Sequence, residues 1–185
     1  MTDIESMRES RERFLELASE VRAELHRYCA RMTGSVADGE DVVQDTLARA
    51  YFALAEMETL PPLRPWLFRI AHNRALDFQR RYERKMSEPL DVAEGAQAEE
   101  DPEATVAREE AVHAALGRFL ALSPVQRSCV VLKDVLGHSV DEIAGLVGLS
   151  RAAVKSALVR GRASLREAAD PTPPVGSPSA ALARY

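Results

Sequence analysis

Six residues near the C-terminal end carry side chains suited to recognition: Arg151, Lys155, Ser156, Val159, Arg160 and Arg162. On a helix they fall on its outer face. Arg and Lys in such a position reach guanine edges or phosphates, and Ser serves either. The chemistry on offer is therefore binding by charge and hydrogen bonding. The sequence shows no Ser/His/Asp arrangement, phosphate-binding loop or metal-ligand cluster, so it reads as a non-enzyme that needs no cofactor.

Three short helices are expected to position that face, within Leu122–Arg166. Ser123-Pro124-Val125-Gln126 combines a capping Ser, a Pro at the first helical position and a Gln able to close a capping box. Ser139-Val140-Asp141-Glu142 repeats the box and starts a second helix. Gly148-Leu149-Ser150 forms a tight turn, with Gly148 where a Cβ would strain the backbone, and Ser150 caps a third helix running to about Ala169. Ala144 is small enough to let the third helix approach the second, and Ile143, Val147, Val154 and Leu158 supply the apolar seam. Two helices joined by a short Gly-containing turn form a helix-turn-helix. The plainer alternative is a helical hairpin with a solvated basic face.

The segment resembles region 4 of the sigma-70 family of bacterial transcription initiation factors, in the compact extracytoplasmic-function (ECF) type. The matching residues are Leu122-Ser123-Pro124-Val125-Gln126-Arg127, Gly137-His138-Ser139-Val140-Asp141-Glu142-Ile143-Ala144 and Val154-Lys155-Ser156-Ala157-Leu158. The resemblance implies that the third helix reads the −35 promoter element with Lys155, Ser156, Val159 and Arg160, while Arg162 contacts a phosphate. Where the family commonly has Arg directly after that Ser, this chain has Ala157.

Upstream, apolar residues recur at helical spacing from about Glu5: Phe14, Leu17, Val21, Leu25, Tyr28 and Met32, ended by Thr33-Gly34-Ser35. A second helix is expected from Asp38-Gly39-Glu40-Asp41, with acids in its first turn. Its apolar side holds Val42, Val43, Thr46, Leu47, Ala50, Tyr51 and Leu54, and its polar stripe Asp41, Gln44, Asp45 and Arg49. By charge alone that stripe is a solvated face. DGEDVVQDTLARAY, however, resembles region 2.2 of the same family, which implies that these four residues contact core RNA polymerase at its β′ clamp helices.

Glu56–Pro65 is rich in Pro and reads as a loop, with a helix from near Pro65. That helix interleaves Trp66, Phe78 and Tyr82 with Arg69, Arg74, Arg80 and Arg81, the composition of a single-strand surface where bases stack on rings and cations track the backbone. PWLFRIAHNRALDFQRR resembles regions 2.3 and 2.4, which open and read the −10 element. The implied pocket for a flipped base uses Phe68, Ile70 and Asn73 with the loop around Met57–Leu63, and Arg69, Arg74, Arg80 and Arg81 complete the −10 set. Trp66 and Ile70 are expected partly in the core.

A formal charge of −5 is at first sight wrong for a DNA binder. The charge is partitioned. Residues 61–86 hold Arg64, Arg69, Arg74, Arg80, Arg81, Arg84 and Lys85 against Asp77 and Glu83, whereas residues 87–112 hold nine acids against Arg108 alone. The 46% hydrophobic and 5% aromatic fractions, with few β-branched alternations, favour an all-α protein. The expected layout is two small helical domains, 1–86 (region 2) and 106–170 (region 4). An acidic flexible linker, 87–105, joins them, and a Pro/Ser-rich tail, 171–185, follows. The linker is a passive tether or a nucleic-acid mimic in a cationic channel; composition does not choose.

Cys29 and Cys129 lie in no CxxC, which argues against a disulfide framework or zinc site and fits a cytoplasmic setting. His26 and Cys29, one helical turn apart, have no third ligand nearby. The opening MTDIESMRES has no signal-peptide pattern, and no run of 18 apolar residues occurs, so no membrane insertion is expected. The resemblance implies a promoter-specificity subunit whose partners are core RNA polymerase (β′ clamp helices and β flap) and promoter DNA. It leaves open an anti-sigma factor and a further C-terminal domain. The rival reading is a stand-alone helix-turn-helix regulator, which requires a dimerisation element and a palindromic site; a helical protein-binding adaptor is a third.

Overall fold

The computed structural model describes residues 2–54, 56–57, 61–87 and 102–169, with side chains described for 11–54, 56–57, 61–84 and 110–168. Among these every regular element is helical: α1 (Thr2–Thr33), α2 (Val36–Leu54), α3 (Leu63–Ser87), α4 (Pro102–Leu120), α5 (Pro124–Val130) continued by a π-helical turn (Val131–Val135), α6 (Val140–Val147) and α7 (Arg151–Ala169). They make two small helical units, α1–α3 and α4–α7. Most of the segment expected to be the acidic linker, and the whole tail, lie outside the described residues.

In the first unit Phe14, Val21, Leu25, Tyr28 and Met32 of α1 are buried with Val42, Val43, Ala50 and Leu54 of α2 and Trp66, Leu67, Phe68, Ala71 and Ala75 of α3. Each buried large apolar side chain contributes about 1.5–3 kcal/mol. The α1–α2 crossing depends on Gly39: a Cβ there would stand 2.6 Å from the backbone of Ala30. The second unit buries Leu122, Cys129–Leu132, Ile143, Leu146, Val154, Ala157 and Leu158. The two cores are continuous.

Element starts differ from expectation for local reasons. α2 begins at Val36 because Ser35 caps it, its Oγ accepting from the Asp38 N–H at 3.2 Å; of the acids expected at the start, Asp38 lies in the first turn and Glu40 and Asp41 follow it. α3 begins at Leu63, and Pro65 is accommodated because first-turn N–H groups need no helical acceptor. α4 begins at Pro102, inside the segment read as linker. The π turn had no signature in the sequence. It is closed by the Leu136 N–H donating to the Val131 carbonyl at 3.1 Å.

Candidate nucleic-acid interface

The second and third helices of the expected motif are α6 and α7. Ser139 Oγ accepts from the Glu142 N–H at 3.2 Å and Glu142 Oε2 accepts from the Ser139 N–H at 2.7 Å, which closes the box. These bonds hold the Glu142 carboxyl below its usual pKa. Gly148 ends α6 at φ +68°, where a side chain would be strained, and Ser150 Oγ caps α7 through the Ala153 N–H at 3.2 Å. Val154, Ala157 and Leu158 turn inward. Ala157, the departure from the family pattern, is 1% exposed and belongs to this inner stripe, away from the outer face.

Arg151, Lys155, Val159, Arg160 and Arg162 are exposed and Ser156 is half-buried, as a reading face requires. The structure divides them further. Arg151 is paired with Asp141 of α6 at 2.9 Å. Arg162 makes two bonds to Asp134 of the π turn, at 2.9 and 2.5 Å, and that hydrogen bonding raises its pKa. Arg160 donates to Ser156 Oγ at 2.7 Å. Lys155 and Val159 make no ion pair or polar side-chain bond among the described residues.

In the first unit Asp41 and Gln44 are exposed on α2. Asp45 accepts from Arg49 at 3.0 Å and from Arg74 of α3, which also donates to Asp77 at 3.0 Å. Partial burial opposes ionisation of Asp45, but the two guanidiniums outweigh it and hold the carboxyl below its usual pKa. Asp45 and Arg74, expected on different surfaces, are thus brought together as a brace between α2 and α3. Arg69, Asn73, Arg80 and Arg81 are exposed along α3, and Ile70 is half-buried. Phe78 and Tyr82 stack with centroids 6.4 Å apart and planes at 16°, leaving Tyr82 exposed beside the cations.

Phe68 departs from its expected place. It is 1% exposed, edge-on to Tyr28 of α1 and to His138 at the head of α6. A base cannot reach it while the two units pack in this way. Around it lies a polar seam between the units. Tyr28 Oη stands 2.8 Å from both His72 Nδ1 and Ser128 Oγ, and Ser128 Oγ stands 3.2 Å from His72 Nδ1. Burial pushes the His72 imidazole down to about 4, so it is neutral, and the bonds among Nδ1 and the two hydroxyls involve no charged group. Gln79 of α3 and Arg127 of α5 both donate to the Met32 carbonyl at the C-terminal end of α1, where helix carbonyls lack partners and the dipole favours a cation. Arg127 also donates to the carbonyls of Leu120 (3.2 Å) and Leu122 (3.1 Å).

The sequence reading missed this seam. A signal existed, in that His72 and Gln79 interrupt the buried side of α3 that holds Leu67, Phe68, Ala71 and Ala75. Polar residues on a core stripe need partners. Nothing in one chain's spacing says that the partners of His72 are Tyr28 and Ser128, or that the partner of Gln79 is the Met32 carbonyl.

Among the described residues no group of three or more His, Cys, Asp and Glu side chains is placed to hold a metal, and no helix is long and apolar enough to cross a membrane. His26 Nε2 instead sits 3.2 Å from the Val36 carbonyl. Cys29 and Cys129 are free and buried, their thiols pushed up by that burial to about 12 and about 11.

Two family models match in order: Sigma-70 region 2 over residues 17–85 and Sigma-70 region 4 over residues 113–165. The ECF RNA polymerase sigma factor SigL of Mycobacterium tuberculosis is 35% identical over 77% of this chain and 80% of its own length. The chain belongs to the ECF sigma factor family. As a sigma factor it is 37% identical to SigG of the same organism over 89% of its own length but spans only 52% of SigG. The solved structure of CnrH with the cytosolic domain of CnrY matches it at a TM-score of 0.64 and 27% identity, covering 90% of this chain and 96% of CnrH. The structure of RpoE with the anti-sigma factor NepR from Bartonella quintana shares the fold at a TM-score of 0.65 and 22% identity, over 85% and 97% of the two chains.

Proposed function

We propose that this ECF sigma factor binds core RNA polymerase and directs promoter-specific initiation, reading the −35 duplex with α7 and capturing the opened −10 strand with α3 and the loop before it. The observation that carries this reading is the pairing, in one chain, of an outward basic α7 with a second helix, α3, that exposes Arg69, Asn73, Arg80, Arg81 and Tyr82. Two linked DNA-reading units suit a bipartite site, because linkage raises their effective concentration when the spacing fits both. The stand-alone regulator lacks an observation of its own.

Asp41, Gln44 and Arg49 are the exposed polymerase-facing residues of α2 by this reading, with the half-buried Asp45 held beside them by Arg49 and Arg74. The partners are the β′ clamp helices for the first unit, the β flap for the second, and promoter DNA for both. An anti-sigma factor is the partner expected to cover these faces when initiation is off. The first unit extends through residue 86, and the second takes in α4 to α7. The setting is the cytoplasm, and bond-making is left to the polymerase.

Asp41→Lys tests the polymerase surface cleanly, since Asp41 is exposed and makes no ion pair among the described residues. The variant should lose most capture of core polymerase and most promoter-specific run-off transcription while its helical circular dichroism stays unchanged. Full capture by the variant would refute the α2 assignment. Failure of the unmodified chain to capture core polymerase, with tight binding of a palindromic duplex by itself, would replace the sigma reading with the stand-alone regulator.

A further inference from the structure

A cavity of about 610 Å³ lies between the start of α3 and α6, one wall from each unit. Cavities of roughly 300–1,000 Å³ hold small molecules, with an apolar body against apolar walls and a few polar groups that fix its orientation. Trp66, Leu136 and Leu146 supply the apolar walls here. On α6, Gly145 follows Asp141 by four residues and Glu142 by three, so all three turn one side of the helix to the cavity. Gly145 costs α6 about 1 kcal/mol of helix propensity relative to Ala. A Cβ there would meet nothing within 4 Å, so the missing side chain leaves the cavity open.

Most of the charged groups around it are committed. Arg64 donates to Glu24 at 2.5 Å, Asp141 is paired with Arg151 at 2.9 Å, and Glu142 accepts from the Ser139 N–H at 2.7 Å. Arg69 is exposed and makes no ion pair or polar side-chain bond among the described residues. His138 also lines the cavity; it is 8% exposed, and its Nε2 is buried without a partner among the described residues. Burial holds that imidazole below its usual pKa although Glu142 acts against it, so Nε2 offers a hydrogen bond and no charge. Buried polar atoms are nearly always paired. A free guanidinium and an unpartnered imidazole nitrogen among apolar walls suit a carboxylate with an apolar tail: Arg grips the two oxygens through parallel N–H groups, and a protonated Nε2 donates once more.

We infer that this cavity binds a small apolar carboxylic acid, held by Arg69 and His138 with its tail against Trp66, and that filling it blocks initiation. The site stands on the geometry alone. The block rests on the proposed role of α3, because Arg69 and the Pro61-Pro62 end of the preceding loop, assigned to the −10 strand, line the same cavity. A ligand that needs both walls also favours the packed arrangement, in which Phe68 is covered by His138.

Trp66 is the single tryptophan of the chain, so its fluorescence reports on this cavity without a label. The full chain is titrated with octanoate, octanamide and octylammonium, which share a tail length and differ in head group. Octanoate should give a saturable change and bind about fivefold tighter than octanamide, the worth of one partly exposed ion pair, with octylammonium weakest. Arg69→Gln should bring the octanoate-to-octanamide ratio close to one. Gly145→Leu, which puts a side chain into the space, should weaken both at unchanged helical circular dichroism. No saturable change with octanoate, equal binding of the three head groups, or full binding by Gly145→Leu would overturn the site; a ratio that Arg69→Gln leaves unchanged would remove Arg69 from it. In run-off transcription octanoate should halve the product near the concentration that half-saturates Trp66, and octanamide should need about fivefold more. Octanoate that fills the cavity without lowering the product would overturn the block. A chain that never initiates with core polymerase, with or without octanoate, would instead overturn the sigma reading, while the titration still decides the site.

Discussion

Acidification should loosen the seam between the two units, and His72 sets the size of the effect. The imidazole is 7% exposed, and burial pushes it from its usual 6.5 down to about 4. Any state that exposes His72 to water, by unfolding or by parting the units, therefore takes up a proton before the closed state does. The stabilisation from keeping His72 neutral is complete above its ordinary pKa, falls as pH drops from 6.5 towards 4, and is gone below that. In full it amounts to about 3 kcal/mol, of which about 2 kcal/mol is lost between about pH 7.5 and about pH 5.

The groups that face His72 do not blur the effect. Tyr28 on α1 is pushed up by burial and stays protonated throughout that range, as do the buried Cys29 and Cys129 thiols near Tyr28, and Ser128 on α5 does not ionise. His138, across Phe68, is also lowered by burial, with Glu142 acting against that, so it adds in the same direction. Urea unfolding at the two pH values should show the loss. A His72→Asn variant, which keeps a hydrogen-bonding amide but cannot charge, should show a smaller pH dependence by about that amount. Nuclear magnetic resonance gives an independent check that needs no variant: the His72 ring proton should not titrate until well below pH 6. A His72 resonance that titrates near 6.5, or equal pH dependence in the two proteins, would refute the reasoning.

Gly39→Ala should destabilise the first unit. Its Cβ would stand 2.6 Å from Ala30 backbone atoms that cannot rotate aside, so overpacking of about 1–3 kcal/mol should exceed the helix-propensity gain of about 1 kcal/mol; a raised urea midpoint would contradict this. Asp134→Ala removes the carboxylate that holds Arg162. Because that pair is half-exposed, stability should change by less than about 1 kcal/mol, while affinity for any duplex rises and its dependence on salt steepens by about one phosphate contact; unchanged salt dependence would exclude Arg162 from the backbone.

Helix-turn-helix chemistry was legible in the sequence because its determinants are local. Capping by Ser123, Ser139 and Ser150, the left-handed Gly148 and the inward stripe of α7 each depend on residues within one or two turns, and all appear in the structure. The segregation of acids away from residues 61–86 is likewise a property of the string itself. The all-α character followed from periodicity, which a buried stripe imposes on any helix.

Pairing across elements was not legible. Asp134 with Arg162, Asp45 with Arg74, and Arg127 with the end of α1 join residues far apart in the chain, and a charge shows nothing in the sequence of which opposite charge it meets. Phe68 shows the limit: its aromatic ring beside Arg69 suits a base pocket equally well as a core, and only the packing of α1 and α6 against it decided for the core. The sequence alone determined which α-helices form, though not the π turn, and which residues have chemistry to offer. Tertiary structure decided which of those remain exposed, because burial and long-range pairing depend on distances that spacing along one chain does not specify.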